Sequence, residues 1–262
     1  AEDMARTEAL QPAMAVAGLG LWFRVCKTLS PAAAAGHSLG EYAALAAAGA
    51  LDPKDMLELV SLRGRLMAEA GAEDHGMAAI LKLDMAVVED IVSQAESASG
   101  ELLIIANYNS PMQFVVSGQK GALEAATRLA KEAKGRAVPL PVSGAFHSPL
   151  VQEAGDEFAK VLARKDFKPA KFPVYLNATA RPEQDPESIR GTMIKQMTSS
   201  VLWVQTMAAM WEDGVRRYVE VGPKGVLAKL AQQNLKSFGQ PEVEAAGDLK
   251  SAEALAPDQE KE

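Results

Sequence analysis

A two-part α/β fold is predicted by three observations. Residues Gly36-His37-Ser38-Leu39-Gly40 run directly into the helix-forming stretch Glu41-Tyr42-Ala43-Ala44-Leu45-Ala46, the pattern of a sharp strand-to-helix turn that lifts a strained serine to a helix N-terminus. Between Gly76 and Pro141 the apolar pattern reads strand-helix-strand-strand-helix-strand, the order of a split βαβ unit. The 262 residues, 48% of them hydrophobic, suit one large domain carrying a smaller inserted one. Together these place an α/β-hydrolase-like core at residues 1–74 and 142–262 and a ferredoxin-like (βαββαβ) subdomain at 75–141.

In chain order, Gln11-Pro12 opens the first helix, with Pro12 in its tolerated first turn. Met14, Val16, Leu19, Leu21, Trp22, Val25 and Leu29 make that helix apolar nearly all round, which predicts burial on every side. Pro31 to Ala35 is expected to be the strand entering the turn, although an alanine run has poor strand propensity. Asp52 caps the next helix, Pro53 takes its first position and Asp55 completes a start like a capping box. Met56, Val60, Arg63 and Met67 share one stripe of that helix, so Arg63 is centred on an apolar face while Arg65 lies opposite, among Glu58 and Glu69.

The inserted part is predicted as strand 77–83, helix 85–98, strand 102–108, a turn at Asn109-Ser110-Pro111, strand 113–117, helix 122–134 and strand 136–140. A short strand at 174–177, helices at about 188–196 and 201–212, strand 217–221 and a helix to about Leu235 follow. From about Gly239 the chain is polar, acidic and Pro-containing, and is expected to be a loosely held tail.

A net charge of −7 and a pI near 5.2 argue against nucleic acid or an anionic membrane as the main partner. Cys26 is the single cysteine, so no disulfide framework or cysteine metal site is available, and three scattered histidines make no recognisable metal site. The chain has no bilayer-length apolar run and its N-terminus has no basic-then-apolar signal pattern. The expectation is a cytoplasmic protein without metal or cofactor.

Ser38 is the candidate nucleophile, against the blander reading of a surface serine in a Gly-rich loop. The flanking glycines are expected to remove side chains that would clash, and the N–H of Leu39 is placed to receive an oxyanion. Of the histidines, His37 follows the chain to the opposite side from Ser38 and reads as a packing residue beneath the turn. His75 lies in a polar, flexible-looking loop, which leaves His147 as the base by elimination. The sequence shows no acid to orient it. Arg63 needs an anion, either an internal carboxylate or a substrate carboxylate, because an unpaired buried guanidinium is very costly. Gly118-Gln119-Lys120-Gly121 lacks the Gly-Lys-Ser/Thr ending of a phosphate loop and reads as a hairpin-to-helix connection.

Five ordered motifs carry a resemblance: Gly36 to Leu45, Leu59 to Gly64, Asn107-Tyr108-Asn109-Ser110-Pro111, Leu140 to Ser148, and Glu220-Val221-Gly222-Pro223. In register from about Thr7 to Gln233, the chain resembles the malonyl-CoA:acyl carrier protein transacylase family of type II fatty acid synthesis. The resemblance implies a malonyl-Ser38 intermediate, His147 as base oriented by the backbone carbonyl of Gln196, and Arg63 paired with the malonate carboxylate. It assigns His37, Asn107, Asn109 and Phe146 to substrate binding as well, with Phe146 similar to the malonyl-selective pattern of polyketide acyltransferase domains. The implied partners are malonyl-CoA and acyl carrier protein, with the chain acting as a monomer. Family members begin with a strand and a Gly-Gln-Gly-x-Gln loop that supplies a second oxyanion donor. The chain starts downstream of that segment, and losing one such donor is expected to cost roughly a hundred- to a thousand-fold in turnover. The alternatives are a thioesterase- or esterase-type serine hydrolase, a malonyl-selective acyltransferase domain of a polyketide synthase, and a non-catalytic carrier-protein docking module.

Overall fold

The computed structural model describes residues 7–142 and 144–255. The first helix, α1, spans Thr7–Val25, with Pro12 inside it and not in its first turn. The cause is close packing: a Cβ built on Gly64 would lie 3.0 Å from the Thr7 carbonyl oxygen and 3.2 Å from the Glu8 Cα. Helix-on-helix burial of Gln11, Ala15 and Leu19 thus carries the helix through its proline. Nor is α1 buried on every side, since Val16 and Phe23 are 54% and 57% exposed.

Strand β1 is only Ala34–Ala35, pairing parallel with β6 (Val174–Leu176). The rest of the predicted strand, from Pro31, stays irregular. Helix α2 (Gly40–Ala47) leaves the turn, and α3 (Pro53–Glu69) follows with the Asp52 side chain accepting from the Lys54 N–H at 2.8 Å. Asp55 does not close a capping box. Its carboxylate accepts from Lys165 Nζ at 2.7 Å and ties α3 to the far side of the core.

The inserted sheet holds β2 (His75–Leu81), β3 (Leu103–Ser110), β4 (Gln113–Gln119) and β5 (Arg136–Pro139), ordered β3-β4-β2-β5. Helices α4 (Met85–Ser99) and α5 (Lys120–Glu132) cover one face. Alternation along the strands decides what each face meets. Ala78, Ile80, Phe114 and Val116 pack under the helices, whereas Met77, Ala106 and Val115 join the main core. The insert therefore shares its second face with the rest of the molecule. His75 is the first residue of β2, paired with Gln119, and not part of a flexible loop. Asn109 and Ser110 extend β3, and the turn falls on Pro111 and Met112. A hydrogen bond from Asn234 Nδ2 to the Asn109 carbonyl, 2.8 Å, keeps that end extended.

After the insert come α6 (Gln152–Leu162), which the sequence reading did not recognise, β6, the short β7 (Arg181–Glu183), α7 (Pro186–Lys195), α8 (Trp203–Glu212), β8 (Arg217–Val221) and α9 (Val226–Leu235). The main core gathers Tyr42, Leu45, Met56, Leu59, Phe158 and Met193. The expected loose tail carries regular structure within the described residues. Strand β9 (Glu242–Ala246) pairs parallel with β8, and α10 (Leu249–Ala254) starts in a capping box made by Asp248 and Ser251. Its polar composition hides Ala246 and Ala252, which are fully buried with Leu21 and Val25 of α1.

Among the described residues, β1 and β8 each have a neighbour on one side only. Their free edges border a common cleft of about 760 Å³, walled also by Leu19 and Trp22 of α1. No helix of the described residues is long and apolar enough to cross a membrane. Truncation after Gly239 is expected to destabilise the protein by at least ~2 kcal/mol in urea unfolding, through the β8–β9 ladder and the buried alanines. A loosely held tail would leave the midpoint unchanged.

Candidate active site

The turn at the end of β1 forces Ser38 into left-handed backbone, φ 50°, a conformation that costs a β-substituted residue energy. Gly36 makes the turn possible. A Cβ there would stand 2.0 Å from the backbone carbon and oxygen of Gly40. Gly40 has no such constraint, since a Cβ on it meets nothing within 4 Å, so the expected steric need applies to the first glycine alone. Asn177, just beyond β6, pins both arms of the turn: its Oδ1 accepts from the Ser38 N–H at 2.6 Å and its Nδ2 donates to the Gly36 carbonyl at 2.7 Å. Leu39 stands at the N-cap of α2, where unpaired N–H groups and the helix dipole favour negative charge.

The structure brings His147 to Ser38, with Nε2 2.8 Å from Oγ. His147 also has positive φ, 59°, and its own N–H donates to the Met197 carbonyl at 3.1 Å. Its Nδ1 faces two carbonyl oxygens, of Ser199 at 2.9 Å and Gln196 at 3.2 Å. Carbonyls only accept, so Nδ1 carries the ring hydrogen and Nε2 is left to accept from the serine hydroxyl. Ser199, the nearer of the two, was invisible in the sequence because a backbone carbonyl leaves no side-chain signature.

Arg63 is 1% exposed. Its Nη2 donates to Ser38 Oγ at 2.9 Å, Nη1 to Gln11 Oε1 at 2.8 Å and Nε to Gln196 Oε1 at 3.3 Å. Every one of these acceptors is neutral, and no carboxylate of the described residues forms an ion pair with it. The internal salt bridge left open by the helical wheel is therefore absent among the described residues.

His37 Nε2 lies 2.7 Å from Asn109 Oδ1, and its ring is tilted against Trp203. Asn107 is buried on β3, where its backbone bridges to Val201. Phe146 is 7% exposed and packs in the main core, its ring so close to Gly144 that a Cβ there would sit 2.3 Å away. Ser143, within the same motif, lies outside the described residues. Gln11, Glu41, Tyr42 and Asn177 contact this site without having been singled out; a polar residue on an otherwise apolar helix face was the available signal for the first two.

Burial and the neighbouring Arg63 charge push the His147 imidazole down to about 3. Burial likewise lowers His37, partly offset by its bond to Asn109. The Arg63 guanidinium is lowered by burial, with Tyr42 and Glu41 opposing the shift. His147 is therefore neutral at pH 7 with its Nε2 lone pair free, and a carboxylate that offsets the Arg63 charge would raise its basicity toward the range that suits a general base.

A profile of the acyl transferase domain family matches residues 1–261. The chain belongs to the acyl transferase family. The malonyl CoA-acyl carrier protein transacylase of Haemophilus influenzae is 39% identical over 238 residues, 89% of the chain and 76% of that relative. The protein of the same name from Bacillus subtilis is 38% identical, over 89% of the chain and 74% of the relative. Among solved structures, an acyl carrier protein S-malonyltransferase from Vibrio cholerae superposes with a TM-score of 0.90 at 39% identity, covering 97% of the chain and 83% of its own. A malonyl-transacylase in complex with a type II PKS acyl-carrier protein has a TM-score of 0.90 at 35% identity, over 98% of the chain and 83% of its own.

Two outcomes follow for this acyl transferase. Gly36→Ala is expected to cost about 3 kcal/mol or more in denaturant unfolding, while Gly40→Ala, in open space at a helix start, stays within ~1 kcal/mol of the parent. An imidazole of ordinary pKa, 6.5, loses its accepting nitrogen as pH falls through that value. With His147 held far lower, labelling of Ser38 by a neutral fluorophosphonate is expected to stay level from about pH 8 to about pH 5.

Proposed function

We propose that this acyl transferase moves a malonyl group from malonyl-CoA to the phosphopantetheine thiol of acyl carrier protein through a malonyl-Ser38 intermediate. The observation that carries the reading is the buried Arg63, charged, without an ion-pair partner among the described residues, and 2.9 Å from the nucleophile oxygen. A thioester whose acyl group ends in a carboxylate supplies the missing anion. Bidentate bonds to that carboxylate add the attraction of opposite charges to what the neutral oxygens supply, and the exclusion of water strengthens that attraction. An uncharged acyl group would leave the guanidinium uncompensated, which is a basis for selectivity.

In the first half-reaction His147 Nε2 takes the Ser38 proton as Oγ attacks the malonyl carbonyl carbon. The carbonyl oxygen becomes an oxyanion beside the Leu39 N–H. Collapse breaks the carbon–sulfur bond, and the imidazolium returns its proton to the departing CoA thiolate. The carbonyls of Ser199 and Gln196 stabilise the N–H of that imidazolium, the part a carboxylate plays in a Ser-His-Asp triad. The carrier-protein thiol then repeats the steps in reverse, with His147 again moving the proton. His37 and Asn109 form a wall behind the turn, and Asn107 and Phe146 line the acyl side.

The described parts support an α/β-hydrolase-like core at 1–74 and 142–262. The four-strand order of the segment 75–141, its two helices on one face, supports a ferredoxin-like subdomain there. Ser38, His147 and Arg63 come from a single chain, which supports action as a monomer. The similarity of solved malonyl transferases, one with an acyl-carrier protein in place, supports the acceptor.

Peptide-mapped mass spectrometry after brief exposure to malonyl-CoA is expected to show a malonyl adduct on the Ser38 peptide, removed on adding holo acyl carrier protein. Arg63→Ala is expected to lower malonyl loading by ~100-fold or more, with acetyl loading retained. Release of the acyl group to water, with none reaching the carrier protein, would establish a hydrolase in its place.

A further inference from the structure

Among the described residues, Glu41 is the one carboxylate within the buried ring around Ser38, and the chemistry above makes no use of it. It lies in the first turn of α2, yet it is 0% exposed and turns inward. Its Oε1 accepts from the Asn177 N–H at 2.7 Å and its Oε2 from Gln196 Nε2 at 2.9 Å. Both oxygens thus receive N–H donors, the pattern that suits an ionised carboxylate. It bonds to neither the Ser38 hydroxyl nor His147, so it is not the missing acid of a triad.

We propose that Glu41 is a positioning residue for malonyl selectivity, setting through the Gln196 amide the orientation in which Arg63 presents its guanidinium beside Ser38. The inference rests on the malonyl-transfer reading and deepens it. An amide can sit in two orientations related by a half-turn, which exchange its oxygen and its NH₂. The bonds around Gln196 settle which one holds. Its Nε2 donates to Glu41 Oε2 and, at 2.8 Å, to the Ser38 carbonyl. Its Oε1 accepts from Arg63 Nε and, at 3.4 Å, from Tyr42 OH. Two acceptors on one side and two donors on the other allow no half-turn without burying like against like, which costs the full desolvation of the groups left unpaired.

Burial pushes the Glu41 carboxyl up to about 7, against the hydrogen bonds from Asn177 and Gln196 and the Arg63 charge. With an N–H donor on each oxygen the ionised form fits the site, and Glu41 then supplies the charged member of the acceptor pair. With glutamine at 41, one amide group must still accept from the Asn177 N–H, so the other, an NH₂, faces the NH₂ of Gln196. Turning the Gln196 amide to relieve that contact sets its NH₂ against Arg63 Nε–H and its oxygen against the Ser38 carbonyl, and takes the acceptor away from the guanidinium. Left unturned, the amide is pushed from its place by the like contact, so the acceptor that sets the plane of the guanidinium is no longer fixed. His147 keeps the two backbone carbonyls that hold it, so the proton transfer common to both thioesters keeps its base.

The test compares Glu41→Gln with the parent, reading second-order loading of Ser38 from malonyl-CoA and from acetyl-CoA by intact-mass spectrometry. The expected result is a ~10- to 100-fold fall in malonyl loading, the scale of a displaced positioning contact, with acetyl loading unchanged. In an Arg63→Ala background the same substitution is expected to leave the malonyl-to-acetyl ratio where it was, since the two residues act as one unit. Equal losses with both thioesters, or an unchanged ratio, overturn the proposal and leave Glu41 a residue of the fold. Should Glu41→Gln not fold, Gln196→Met keeps the carboxylate and cuts its path to Arg63. A fall in the ratio supports the proposal, and an unchanged one overturns it. A parent protein that takes no malonyl group fails the functional reading itself, an outcome distinct from all of these.

Discussion

A buried guanidinium that bonds no carboxylate directly, Glu41 reaching it only through the Gln196 amide, is the constraint on which the architecture around the nucleophile depends. Removing such a charge from water is expensive, and Arg63 recovers part of that cost from neutral oxygens supplied by three separate elements: Gln11 on α1, Ser38 in the turn and Gln196 after α7. Each of those elements must therefore be in place before the cation can be. The close approach of α1 to Gly64, one residue beyond Arg63, is the packing counterpart of the same requirement, since it brings Gln11 within reach.

Seen from the serine, the same ring of polar groups separates two tasks. Backbone carbonyls hold the base, so its tautomer depends on the path of the chain and not on a charge that could titrate. Side-chain amides and one carboxylate hold the cation, and they tolerate only one pattern of donors and acceptors. The base and the cation thus rest on different groups, although Gln196 supplies one to each, its backbone carbonyl to His147 and its amide to Arg63, and both meet at the Ser38 hydroxyl oxygen.

What the sequence revealed were features with a fixed local spacing. The Gly-x-Ser-x-Gly pattern marks the turn because the backbone tolerates few residues there, and Arg63 stands out because a helix repeats every 3.6 residues. His147 came forward only because the chain has so few histidines. Contacts made across the fold carry no such period: Asn177 clamps the turn from residues that lie 139 and 141 positions away, and the Ser199 carbonyl has no side-chain identity to read. Strand β1 is two alanines long and exists because β6 lies beside it. Strand β9 and α10 were obscured by a polar composition in which a few small buried residues do the packing, while at Pro12, read as a helix start, tertiary contact carries the helix on through the proline.

Both side chains of the proton-transfer pair stand on left-handed backbone, at φ 50° and 59°, where glycine would be at ease and serine or histidine is not. Chance substitution that relaxes either position removes the nucleophile or the base along with the strain. Selection for a more durable protein and selection for a working one accordingly pull in opposite directions at these two residues, and the surplus needed to keep them must come from elsewhere, chiefly the well-filled cores on either side of the inserted sheet.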